Sequence, residues 1–130
     1  MGEEKSVIIQ IDFQSDEAFY IQLRNQIILG IATRTLREGD PLPSVRALAD
    51  EIGINMHTVN KAYAVLKQEG FIRLDRRKGA VIAVDLDHLA ASQEVERDLR
   101  IVLAKAACKG VTADEVHTLV DQIYAGYGSR

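Results

Sequence analysis

The chain has 130 residues, enough for one modest domain or a small domain with an appendage. Its apolar fraction of 47% can build a core, yet no apolar run approaches the ~18 residues of a membrane span. The single cysteine, Cys108, excludes an internal disulfide or a multi-cysteine zinc site and fits a reducing cytoplasm, while the net charge of −3, taken whole, disfavours a polyanionic partner.

In chain order, Val7, Ile9, Ile11 and Phe13 alternate with Ile8, Gln10, Asp12 and Gln14, the period-two pattern of a short strand. Ser15 or Asp16 is placed to cap the next helix, with Glu17 at its positive end. Tyr20, Leu23, Ile27, Ile28 and Ile31 form that helix's apolar stripe. Gly39, Pro41 and Pro43 forbid helix beyond it and predict a turn over Arg37–Pro41. Ser44 then caps a helix whose inward face is Val45, Leu48, Ala49 and Ile52, and Gly53 ends it. Asn55 caps the following helix, whose buried stripe is Val59, Ala62, Tyr63 and Leu66 and whose stop is Gly70. Phe71–Leu74 and Ala80–Val84 are β-prone runs around the charged turn Asp75–Gly79, which predicts a hairpin. Val95, Leu99, Val102, Leu103 and Ala106 stripe a further helix from about Asp87 to Ala107, stopped by Gly110. A capping box from Thr112 to Glu115 opens the last helix, with Val116, Leu119, Val120, Ile123 and Tyr124 on one face.

Two helices joined by a short glycine turn make a helix-turn-helix, and a basic hairpin after them makes a winged helix. The expected fold is mainly α with a small β wing (α+β). A winged helix-turn-helix DNA-binding domain spans 1–84, and a short two-helix dimerisation segment spans 85–130. In such a pair the second helix enters the major groove with its N-terminal residues at base edges, which singles out Met56, His57 and Asn60. Arg76, Arg77 and Lys78, followed by Gly79, suit a phosphate backbone or a minor groove. The charge distribution agrees: residues 34–80 hold nine Lys or Arg against six Asp or Glu, and both flanks have acids in excess. Fields reach only about 8 Å in cell salt, so this local excess outweighs the sum. Two short helices packed only on each other leave their stripes wet, so they need the winged helix or another chain, and dimerisation is the more economical reading. Leu99, Val102, Leu103, Val116, Leu119, Val120 and Ile123 are therefore the candidates for a homodimer interface.

Leu42-Pro43-Ser44-Val45-Arg46-Ala47-Leu48-Ala49, Gly53-Ile54-Asn55, Thr58-Val59, Ala62-Tyr63, Leu66 and Glu69-Gly70-Phe71-Ile72 together resemble the GntR family of bacterial transcription regulators. The resemblance covers roughly residues 13–84, and the short tail is similar to that of the YtrA subfamily. It implies a homodimer that represses by occupying a pseudo-palindromic operator in double-stranded DNA, with a transporter operon as the regulated locus. Arg46 stands where the family's Pro-Ser-x-Arg arginine meets phosphate, and Ser44, Asn55, Thr58 and Lys61 complete the candidate DNA-binding set. Three positions depart from the family's pattern. Ala18 replaces a usual proline, Met56 a frequent arginine, and Lys78-Gly79-Ala80 carries one glycine where many relatives have two. Methionine offers apolar contact only, for example to a thymine methyl.

No nucleophile–base–orienter set and no phosphate-cradling glycine loop is present, so neither an enzyme nor a cofactor is expected. His88, Cys108 and His117 fall on different segments at no ligand-like spacing, so no metal site is expected either. Two rival readings stay open. One is a winged helix serving protein–protein assembly; the other is a metal or redox sensor using Cys108. The tail is too short for a large ligand-binding domain, which leaves a small-molecule effector only a pocket between the tail helices.

Overall fold

The computed structural model describes residues 9–128. Its helices are α1 (Phe19–Ala32), α2 (Val45–Ile52), α3 (Met56–Gln68), α4 (His88–Cys108) and α5 (Ala113–Gly126), and its strands are β1 (Ile72–Asp75) and β2 (Gly79–Ile82). The fold is mainly α with a small β wing. The chain divides into two compact units, one ending at Asp85 and the other beginning at Leu86. Among the described residues, no helix is long and apolar enough to cross a membrane.

The first unit is built on α3. Its whole predicted stripe, Val59, Ala62, Tyr63 and Leu66, is buried. Leu23 and Ile27 of α1, Leu48 and Ala49 of α2, and Ile72 and Ile82 of the wing pack in the core around it, with Ile9, Leu36, Leu42 and Ala80. Each fully buried aliphatic side chain stabilises by about 1.5–3 kcal/mol, so this cluster holds the helices together. The helix ends are set locally. Ser44 Oγ accepts from the Ala47 amide at 3.1 Å and Asn55 Oδ1 from the His57 amide at 2.7 Å. Gly53 closes α2 in the left-handed region at φ +75°. Gly70, at φ +83°, also permits a close approach, since a Cβ there would lie 3.0 Å from Asp85 Cβ. The chain leaving the wing thus folds back onto the end of α3, with the Asp85 amide donating to the Gly70 carbonyl at 2.7 Å.

The start of the chain differs from the alternation-based expectation. Val7 and Ile8 lie outside the described residues, and residues 9–14 form no strand. Two glutamines one helical turn apart on α1 bind this arm instead. Gln26 Oε1 accepts from the Gln10 amide at 3.0 Å, and its Nε2 donates back to the Gln10 carbonyl. Gln22 Oε1 accepts from the Asp12 amide at 2.8 Å, while its Nε2 donates to the carbonyls of Asp12 and Glu17. A primary amide offers the same donor–acceptor pair as a peptide group, so the arm is zipped without a partner strand. Nor does Ser15 or Asp16 cap α1. The helix begins later, at an uncapped Ala18, and Ser15 Oγ accepts from the Glu17 amide in a local turn.

β1 and β2 pair antiparallel from Ile72 opposite Ile82 to Asp75 opposite Gly79. The turn before α2 adds a third edge. Leu42 donates to Ala80 at 2.8 Å, Ile82 to Asp40 at 2.9 Å and Gly39 to Ile82 at 2.8 Å. Pro41 faces Val81 at the position that needs no hydrogen bond, where its missing N–H costs nothing.

In the second unit, Asp87 Oδ1 caps α4 at the Ala90 amide, and the Thr112–Glu115 capping box opens α5. Neither helix contains a buried residue.

Gln22→Ala removes three arm contacts at once and leaves the Asp12 amide without its acceptor. We expect it to cost about 1–3 kcal/mol in urea unfolding. Hydrogen exchange should show the Asp12 amide losing protection while α3 keeps it.

Candidate nucleic-acid interface

Burial of one stripe of α3 decides what its other face presents. Met56 is 43% exposed. His57 and Asn60 are exposed with it in the first turn and a half, and Thr58 is half-buried. Asn55 spends its side-chain oxygen on the cap. Lys61 turns back toward α1, its Nζ 4.1 Å from the Tyr20 ring centroid, so its first partner is an aromatic face of its own chain. Ser44 and Arg46 are exposed at the start of α2.

The wing tip is shaped by one carboxylate. Asp75 Oδ1 accepts from the Arg77 amide at 2.8 Å and the Lys78 amide at 3.0 Å, and Gly79 follows at φ +76°. That closed turn leaves Arg76, Arg77 and Lys78 exposed at the tip. The Arg77 amide, then the Lys78 amide, holds the Asp75 carboxyl below its ordinary value near 3.8.

A groove of about 360 Å³ lies between α3 and the wing, its lining including Ser44, Asn60, Ala64, Lys67, Leu74 and Gly79. It brings together Ser44, Asn60 and Gly79 from the sequence-derived set, while Arg46, Met56, His57 and the tip cations lie outside its lining. Lys67 and Leu74 were not singled out by sequence. The signal for Lys67 was available, since it follows Asn60 by seven residues and so shares its helical face.

In the tail unit the candidate dimer residues Leu99, Val102, Leu103, Leu119, Val120 and Ile123 are exposed, from 38% at Leu103 to 57% at Val102, and Val116 is half-buried. His88 and Cys108 begin and end α4, roughly 30 Å apart at about 1.5 Å per residue, so they cannot share an ion within one chain.

The family described as "Bacterial regulatory proteins, gntR family" matches residues 17–82. The "HTH-type transcriptional repressor YtrA" of Bacillus subtilis is 31% identical over 121 residues, spanning 91% of this chain and 93% of that protein. Its likeness therefore includes the tail. The uncharacterised regulator YhcF of the same organism is 34% identical over 71 residues, 55% of this chain and 59% of the relative. Among solved structures, a transcriptional antiterminator from Listeria monocytogenes superposes with a TM-score of 0.82 at 28% identity, over 94% of both chains. A GntR-family YtrA from Sulfolobus acidocaldarius gives 0.59 at 40% identity, over 73% of this chain and 99% of that one.

The wing turn carries its own pH signature. A folded value depressed below 3.8 means that Asp75 stabilises the turn fully above that pH and loses the contribution as pH falls through the lowered value. An NMR titration should show the Asp75 carboxyl carbon titrating below 3.8, with the Arg77 and Lys78 amide shifts moving in step. Amide shifts that ignore the carboxyl would separate the turn from its charge.

Proposed function

Because this chain belongs to the GntR family of bacterial regulatory proteins, and is a DNA-binding transcription regulator and not an enzyme, we propose that it is a repressor. It holds two winged helices on a pseudo-palindromic operator as a homodimer. The observation that carries this reading is the two-sidedness of α3. Val59, Ala62, Tyr63 and Leu66 are buried while Met56, His57 and Asn60 of the same helix are exposed, with a three-cation wing tip in the same unit. A helix presented in this way suits base edges in a major groove, and the tip suits phosphate.

The tail supports the second half of the proposal. α4 and α5 keep large apolar side chains exposed along both helices, a surface a second copy would cover. The similarity to a repressor across 91% of this chain favours repression and includes that tail. One winged helix covers a half-site, so tight binding needs two held at a fixed separation, about 34–36 Å or a multiple. An effector would act by changing that separation. The regulator works in the cytoplasm, and the subfamily resemblance points to a transporter operon as its locus.

Alanine at His57 or Asn60 should cost about 1–3 kcal/mol at one or two operator positions and leave random-sequence affinity almost unchanged. Replacing Arg76, Arg77 and Lys78 together should weaken binding to all duplexes and lower the salt slope by roughly 0.9 per lost phosphate contact. A protein-assembly role would instead give no salt-dependent retention of DNA at all. Leu119→Asp should produce a monomer of unchanged helicity that binds a full operator no better than a half-site. Sedimentation that still shows a dimer would remove the tail from the interface.

A further inference from the structure

The major and minor grooves of a duplex are separated by a sugar–phosphate strand. A protein that lays the start of one helix in the major groove and a basic tip in the next minor groove must let that strand pass between the two. The groove between α3 and the wing lies on this path. Building on the operator-binding reading, we propose that it seats one sugar–phosphate strand of the DNA, and that Lys67 is the phosphate contact that pins the strand there.

Asn60, Ala64 and Lys67 line one wall at positions i, i+4 and i+7 of α3. They span roughly 10 Å of helix axis at about 1.5 Å per residue. One strand carries a phosphate per about 3.4 Å of the duplex axis, and because it winds around that axis its phosphates stand farther apart along its own path, so a run of that length faces about two. The walls are kept low by small residues, Ala64 on the helix and Gly79 and Ala80 on the wing. On the wing side Leu74 stands 65% exposed, a large apolar group positioned to pack on deoxyribose.

The charges make the same selection. Lys61 sits over the Tyr20 ring, and Arg73 Nη1 lies 4.0 Å from Asp75 Oδ2. Lys67 is exposed, and among the described residues no carboxylate pairs with it. Lys67 is the one cationic residue in the groove lining, and a polyanionic strand is the occupant that complements it.

The test compares Lys67→Ala, Lys67→Arg and Ala64→Phe with the wild-type full chain. Two probes are used: a random-sequence duplex, and the duplex that the wild type enriches from a randomised pool. Circular dichroism confirms that each variant folds. Lys67→Ala should lower affinity for both duplexes by a similar factor, on the order of tenfold, and reduce the salt slope by about 0.9. Lys67→Arg should restore both quantities, and Ala64→Phe should weaken both duplexes by filling the groove. Single methylphosphonate replacements should reveal a phosphate whose neutralisation weakens the wild type but not Lys67→Ala. If the wild type binds both duplexes and Lys67→Ala keeps its affinity and slope, the groove proposal is overturned while the operator reading stands. A wild type that retains no duplex at any salt concentration overturns both. Should Ala64→Phe fail to fold, the surface substitution Lys67→Ala still decides.

Discussion

The hydroxyl of Tyr63 donates to the carbonyl of Pro43 at 2.8 Å, and that bond ties α3 to the start of α2 and the wing. Burial pushes the phenol well above its usual range, so it stays protonated and remains a donor. Tyr63 belongs to α3, and Pro43 belongs to the strap that pairs with β2 two residues earlier and caps α2 one residue later. Three surfaces therefore meet through one residue pair: the exposed face of α3, the start of α2 and the wing. The bond adds a directional tie between α3 and the segment before α2, where apolar packing is less directional.

This arrangement also resolves an apparent conflict in composition. An acidic chain is an unlikely-looking partner for a polyanion, yet residues 34–80 carry the basic excess and the acids lie mainly in the arm and tail. Within that basic region two cations are already engaged by the protein itself. Lys61 rests on Tyr20 and Arg73 lies beside Asp75, while outside it Arg24 of α1 reaches Glu69 at 3.6 Å. The cations that stay exposed and unclaimed by these contacts include Arg76, Arg77 and Lys78 at the wing tip and Lys67 in the groove.

Much of the first unit was legible because its signals are local. The cap at Ser44, the left-handed Gly53, the cap at Asn55 and the stripe of α3 each depend on residues within a turn or two, and all hold in the structure. The misreadings share a different cause. Alternation predicted a strand at the start of the chain, but residues 9–14 form none, and their bonding partners are glutamine side chains on α1, up to 16 residues away. The strap at residues 39–42 looked like a plain turn because its strand partner lies about forty residues later, at Ala80–Ile82. Lys67 was visible as a charge, but only the folded wing gives it a groove to face. Side-chain amides and distant ladders leave no periodic trace, whereas caps and stripes do.

The strap has a consequence for how copies of this protein can meet. A small open sheet normally offers two unpaired edges onto which another chain can add a strand, the usual route to uncontrolled fibrous association. Here one edge ends in Pro41, which has no N–H to donate, and the other is the four-residue β1, bearing Arg73 and Asp75. Proline and charge blunt those edges. Self-recognition through the sheet is thereby discouraged, which suits the proposed pairing through the helical tail.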